Sequence, residues 1–317
     1  MYMHSKMKVK YILTYFRIFK TSQEDCSRGV FRKRESTFYE KRRYILIESG
    51  RQNFIMNRIR YIKQIPIYRG IKNKDRETDY FHDFGKDGFG DLEWGWQPDF
   101  SRVKGMSALE ALARLTKKHP GEISLLCLGP LTNIAEAMKL QPDIASNLQQ
   151  ILIMGGNDPG KFGKRGAEFN FLTDPESANA VLTQAKVPIK LLPVETCLNI
   201  ELKFPWRWVT FKDTPNPAIQ IFNRIEWINF DFYHLEDTTW WGCDLFLACG
   251  FINQGVFQTT IATNARVETV GPRRGLIVAD DAKEHNVVIV SRINSGVLKQ
   301  EVLKSAETME LEPRQGG

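Results

Sequence analysis

Ile123-Ser124-Leu125-Leu126-Cys127-Leu128-Gly129, followed two residues later by Leu131-Thr132-Asn133-Ile134-Ala135-Glu136-Ala137-Met138-Lys139-Leu140-Gln141-Pro142, is the stretch on which the fold class turns. Its first part is almost continuously apolar and ends at a glycine, as expected of a strand covered on both faces. Its second part has helical periodicity and stops at proline. Working outward, Ile151–Gly156 (ILIMGG) repeats the strand signal, and Glu176–Thr183 supplies a helix after Asp174-Pro175. Val187–Val194 (VPIKLLPV) is another apolar strand. Upstream, Ser107–Gly121 (SALEALARLTKKHPG) is amphipathic with Pro120-Gly121 as its stop, and Ile65–Gly70 (IPIYRG) is a short strand. Apolar strands alternating with helices predict an α/β fold with a mostly parallel central sheet and helices on both faces. Trp206–Asn253 is aromatic-rich and less regular, suiting a helical insertion beside a pocket. Arg266–Val278 and Asn286–Val290 are expected to add a terminal β ribbon, with Gly271 and Gly275 marking its turns.

The charge of the chain is unevenly placed. Its 317 residues carry a net +7, yet residues 1–70 hold 17 Lys/Arg against 5 Asp/Glu, and the remaining 247 hold 27 against 32. The head is therefore +12 and the body −5. This divides the chain into a basic, atypical N-terminal segment, 1–59, and a domain over 60–317. Met1–Ser49 is expected to be poorly ordered or loosely appended. Its Tyr and Phe residues among basic ones would suit RNA or an anionic membrane, but no nucleic-acid motif accompanies them, so a solvated tail is the simpler reading. Cys26, Cys127, Cys197, Cys243 and Cys249 form no C-x-x-C pair, which argues against a disulfide framework or a zinc site. No apolar run approaches the ~20 residues of a membrane span, and no secretory pattern is evident, so a cytoplasmic protein is expected.

Three clusters carry candidate chemistry. Tyr80–Asp91 (YFHDFGKDGFGD) places an imidazole, carboxylates and glycines after the IPIYRG strand; the alternative is an exposed turn. Met154-Gly155-Gly156-Asn157 is followed by Ala167-Glu168-Phe169-Asn170-Phe171 and Asp174-Pro175. Here the spacing of two lets Glu168 and Asn170 share one side of a short extended segment, facing sugar hydroxyls, unless this is merely a capped loop. Trp240-Trp241-Gly242-Cys243-Asp244 puts a carboxylate behind bulky aromatics, where Asp244 is a site residue or a helix N-cap.

Taken in order, IPIYRG, the His82–Asp91 loop, Gly129-Pro130-Leu131-Thr132-Asn133, MGG, AEFN-x-x-x-DPE, Asp244 and the late ETVGPRRGLIVAD strongly resemble the inosine–uridine-preferring nucleoside hydrolase family, over about 60–281. The resemblance implies its Rossmann-like α/β fold and hydrolysis of the N-glycosidic bond of ribonucleosides. It also implies a bound calcium that holds the attacking water and the ribose diol, and a dimer or tetramer. Residue by residue, it implies Asp244 and the Leu128 backbone carbonyl as calcium ligands, Glu168 and Asn170 on the ribose hydroxyls, and His82 lining the pocket. Asp174 is expected to cap the following helix.

The chain also departs from that family. The family's opening strand and D-x-D-x-G-x-D-D loop, source of the catalytic base and most calcium carboxylates, has no counterpart here: Asp25 alone precedes Asp75. Asn157–Gly166 lacks the usual Gly-Asn pair and carries Phe162, Lys161, Lys164 and Arg165. Cys243 stands where many relatives have histidine, leaving His234 as the candidate leaving-group acid. Three readings follow: an active hydrolase with carboxylates from elsewhere, a catalytically impaired nucleoside-binding relative, or an interaction protein whose basic head contacts RNA. The vacant central strand slot is expected to be taken by YILTYF (Tyr11–Phe16) or RRYILIES (Arg42–Ser49).

Overall fold

A computed structural model of the chain describes residues 10–15, 44–48, 66–71, 92, 103–160, 166–233 and 239–307. In chain order its elements are β1 (Lys10–Tyr15), β2 (Tyr44–Glu48), β3 (Ile67–Arg69), β4 (Val103–Ser107), α1 (Ala108–Lys118), β5 (Ile123–Leu128), α2 (Thr132–Leu140), α3 (Ile144–Asn147) and β6 (Gln150–Met154). They continue with α4 (Phe169–Thr173), α5 (Pro175–Gln184), β7 (Ile189–Leu192), α6 (Val194–Leu198), α7 (Phe204–Phe211), α8 (Pro217–Tyr233) and α9 (Cys243–Ile252). Last come β8 (Phe257–Thr263), β9 (Ala265–Val267), β10 (Ile277–Ala279), β11 (Val287–Ile293) and α10 (Ser295–Glu307).

One sheet of nine strands runs in the order β4-β3-β2-β1-β5-β6-β7-β11-β8. Every pairing in it is parallel except β8 with β11. The α/β expectation holds. The slot beside β5 is filled by β1, from the YILTYF segment, in register Lys10–Ile123 through Tyr15–Leu128. Part of the other candidate segment forms β2, the next strand out. Residues 1–9, 16–43 and 49–65 of the basic head lie outside the described residues.

β5 shows why its sequence lacks alternation. All six residues are buried, and successive side chains point to opposite faces. Ile123, Leu125 and Cys127 join one core with Leu112 of α1, Ile134 of α2, and Val181 and Leu182 of α5. Leu126 and Leu128 join the other, with Cys197 of α6, Phe246 and Leu247 of α9, and Leu298 of α10. At roughly 1.5–3 kcal/mol for each large apolar side chain removed from water, both faces contribute to holding this strand.

Helix boundaries follow local chemistry. Ser107 opens α1 as a capping box: its hydroxyl accepts from the Glu110 amide at 3.3 Å, and its own amide donates to the Glu110 carboxylate at 2.9 Å. The helix closes at Lys118, just before Pro120-Gly121. The terminal ribbon needs one correction. β9 and β10 do pair antiparallel, with Gly271 and Gly275 at positive φ in the turn between them, but Asn286–Val290 leads into β11, a strand of the main sheet beside β7. No helix among the described residues is long and apolar enough to cross a membrane.

Candidate functional site

The carboxyl ends of β5, β6 and β7 lie side by side in the parallel sheet, where α/β proteins commonly carry their sites. β6 ends in Met154-Gly155-Gly156. Gly156 has φ +69°, and a Cβ there would sit 2.5 Å from Ile277 Cδ1, so glycine is required by both conformation and space. Its amide donates to Glu168 Oε2 at 2.8 Å, and the same oxygen accepts from Phe171 N at 3.2 Å. Glu168 is thus the N-cap of α4. Asn170, buried two residues into that helix, donates through Nδ2 to the Met154 carbonyl at 3.1 Å.

The expected extended segment is therefore a helix, and spacing of two is not what brings Glu168 and Asn170 together. Helical side chains lean toward the N-terminus. The cap folds its carboxylate over the first turn, Asn170 reaches back in the same direction, and both end on the Met154–Gly156 corner.

Asp174 caps α5, as expected, accepting from Ser177 N at 3.0 Å, with Pro175 at the first helical position. Its other oxygen accepts from Thr132 Oγ1 at 2.5 Å. Asn133 Oδ1 accepts from Ile71 N at 2.9 Å. The polar residues of the Gly129–Asn133 motif thus tie α2 to α5 and to the segment after β3.

Asp244 lies in the first turn of α9, whose N-cap is Gly242, so the alternative of Asp244 as the cap residue is not realised. Position favours its charge all the same, since a helix N-terminus attracts anions. Cys197 on α6 reports what surrounds it. Burial first, then its hydrogen bond with Cys243 and the charges of Asp244 and Glu168, push this thiol well above its ordinary range. Glu168 and Asp244, far apart in sequence, thus act on one buried thiol. Leu128 ends β5 in the core that also holds Cys197, Phe246 and Leu247. His82, His234 and Lys161, Phe162, Lys164 and Arg165 lie outside the described residues.

Calcium takes six to eight oxygen ligands. Among the described residues no group of three or more His, Cys, Asp or Glu side chains could hold a metal ion. Asp244 and the Leu128 carbonyl alone do not complete a calcium site.

Two features escaped the sequence reading. Glu195, one residue into α6, binds the Asn157 side chain and the Asp158 amide; its only signal was an acidic residue just past a strand end. Arg207 and Glu226 form a 2.7 Å ion pair between α7 and α8, with Arg207 Nη1 also on Asn223 Oδ1 at 2.7 Å. Trp240 Nε1 donates to Glu226 at 3.1 Å, and the Arg207 guanidinium lies over the Phe211 and Trp240 rings. Trp206–Asn253 is helical over most of its described length, in α7, α8 and α9, and this pair joins α7, α8 and the segment entering α9.

Comparison with known proteins places these features in context. The sequence model described as inosine-uridine preferring nucleoside hydrolase matches residues 51–300. Uridine nucleosidase 1 of Arabidopsis thaliana is 40% identical over 124 residues, 37% of this chain and 33% of that protein. The inosine-uridine preferring nucleoside hydrolase of Leishmania major is 32% identical over 122 residues, 38% and 36% of the two chains. The matched segment thus spans about a third of the length of these relatives. Among solved structures, a purine-preferring ribonucleoside hydrolase from Gardnerella vaginalis superposes with TM-score 0.69 at 19% identity, covering 83% of this chain and 88% of the other. An inosine-guanosine nucleoside hydrolase gives 0.67 at 23%, covering 82% and 88%. Both are similar in fold.

Proposed function

Since this chain belongs to the inosine-uridine preferring nucleoside hydrolase family, we propose that it hydrolyses the N-glycosidic bond of a ribonucleoside, releasing ribose and the nucleobase. Water oxygen bonds to the anomeric carbon as the bond to the base nitrogen breaks, and the base leaves with a proton. The observation that carries this reading is the convergence of Glu168 and Asn170 on the Met154–Gly156 corner. Glu168 and Asn170 hold the ribose hydroxyls. The carboxylates favour the positive charge that builds on the ribosyl ring as the bond to the base breaks.

If calcium is retained, Asp244 and the Leu128 carbonyl would supply two of its oxygen ligands, and the ion would favour deprotonation of the attacking water. His82 and His234, proposed for the pocket and for protonating the leaving base, lie outside the described residues. A second reading, a nucleoside-binding relative without turnover, is favoured by the lack of a three-membered metal-ligating group among the described residues.

Ribose release from uridine, inosine, cytidine and guanosine, measured with calcium and with chelator, tests both. The expected result is calcium-dependent turnover that falls about a hundredfold or more in Asp244→Ala and in Glu168→Gln, the scale seen when transition-state charge stabilisation is removed. Saturable nucleoside binding without ribose release establishes the second reading. Neither binding nor release overturns both.

A further inference from the structure

The backbone amide of Glu168 is held by Asn157, and Asn157 in turn by Glu195 of α6. Glu195, past the end of β7, accepts from Asn157 Nδ2 through Oε1 at 2.9 Å and from Asp158 N through Oε2 at 2.7 Å. Asn157, past the end of β6 and only 2% exposed, donates from the same nitrogen to the Gly166 carbonyl at 3.2 Å. Its Oδ1 accepts from the Glu168 amide at 2.9 Å. Glu168 in turn receives the Gly156 amide at 2.8 Å, and Gly156 O accepts from Val194 N at 3.1 Å, next to Glu195. The ring is closed. The orientation of the Asn157 amide is set by its neighbours, since its oxygen faces an N–H while its nitrogen faces a carbonyl and a carboxylate.

We infer that Asn157 and Glu195 are positioning residues for the ribose grip: the β7–α6 corner fixes Asn157, and Asn157 fixes both the backbone and the carboxylate of Glu168. The inference rests on the ribose-holding role proposed for Glu168. Neither residue touches the sugar. A carboxylate acceptor makes the links at Glu195 stronger than neutral ones, and a buried amide with both ends occupied has one stable orientation. This couples sugar recognition to two strand ends instead of to α4 alone, a helix of only five residues.

The test exploits the polarity of the relay. Glu195→Gln sets an amide N–H against the donors of Asn157 or Asp158. Asn157→Asp sets a carboxylate against that of Glu195. Each single variant breaks the link. Combined, they reverse it: the new carboxylate at 157 accepts from the new amide at 195 and still accepts from the Glu168 amide, while the bond to Gly166 is lost and its carbonyl, on the exposed side of the loop, must turn from the new oxygen. In the full chain, two quantities are followed beside melting temperature: discrimination in kcat/KM between uridine or inosine and their 2′-, 3′- and 5′-deoxy analogues, and hydrogen exchange at the Gly156 and Glu168 amides. Each single variant is expected to lower discrimination about tenfold and to speed exchange about tenfold, the scale of one charge-assisted hydrogen bond. The double variant is expected to return both to within about threefold of the wild type, a coupling that independent sites would not show.

Additive losses in the double variant, or single variants that shift melting temperature while discrimination and exchange stay at wild-type values, overturn the relay and leave the ribose reading intact. A wild-type chain that does not distinguish a ribonucleoside from any of its deoxy analogues overturns the ribose reading, and the relay's role with it.

Discussion

Carboxylates at the strand ends and the carboxylate of the helical insertion are held by different means. Glu168, Asp174 and Glu195 accept from backbone amides, those of Gly156 and Phe171, of Ser177, and of Asp158. Glu226 instead faces the Arg207 guanidinium and the Trp240 indole in an aromatic surround. Amide donors satisfy a carboxylate without bringing a formal charge of opposite sign to it. The Arg207–Glu226 pair cancels itself. The first arrangement suits a site and the second a brace, and the brace adjoins the segment leading to Asp244.

Three perturbations test that contrast, in order of expected size. Arg207→Ala leaves Glu226 buried without its cation and is expected to cost about 3–5 kcal/mol in urea unfolding, whereas Arg207→Met with Glu226→Leu together is expected to cost less, about 1–3 kcal/mol, from the Asn223 and Trp240 groups left without these partners. A loss under about 1 kcal/mol for the single variant breaks the contrast. Asp174→Ala removes an amide-held cap and the Thr132 link, with an expected loss of about 1–2 kcal/mol. Asp174→Asn, which can still cap, is expected to lose less, and kcat per folded molecule is expected to stay unchanged in both. A collapse of turnover with the fold intact would make Asp174 a participant in the chemistry.

The smallest effect is one of pH. Burial raises the Glu226 pKa above its ordinary 4.5, with Arg207 and the Trp240 hydrogen bond opposing the rise. Between 4.5 and the raised value the folded state binds more protons than the unfolded state. This contribution is therefore full below pH 4.5 and is lost as pH rises through the folded value. Melting temperatures across that window are expected to show this decline and to flatten in Glu226→Gln; an unchanged slope in that variant removes Glu226 as its source.

Much of this architecture could be read directly. The almost continuously apolar run of β5 foretold burial on both faces, its one polar residue, Ser124, being satisfied by Gln149 and Gln150, and Asp174-Pro175 foretold a capped helix because proline suits its first position. Glu168 and Asn170 were legible as a pair, but for the wrong reason. Spacing of two suggested a strand, whereas the Glu168 cap and the lean of helical side chains produce the same convergence. Asp244 was legible as a candidate, and its place in the first turn of α9 had to be seen. Glu195 was not legible at all, since a lone acid after a strand resembles any solvated loop residue until Asn157 is brought to it from another strand.

The order of apolar strands, helical stripes and caps follows from local chemistry, so the chain alone establishes an α/β fold and the strand ends where a site can form. Which segment of the basic head stands beside β5, which acids meet around Cys197, and which amides hold Glu168 depend on contacts between residues distant in the chain. Those contacts appear only once the sheet has set its neighbours, because a hydrogen bond needs its donor and acceptor brought together in space, which their identities alone do not ensure.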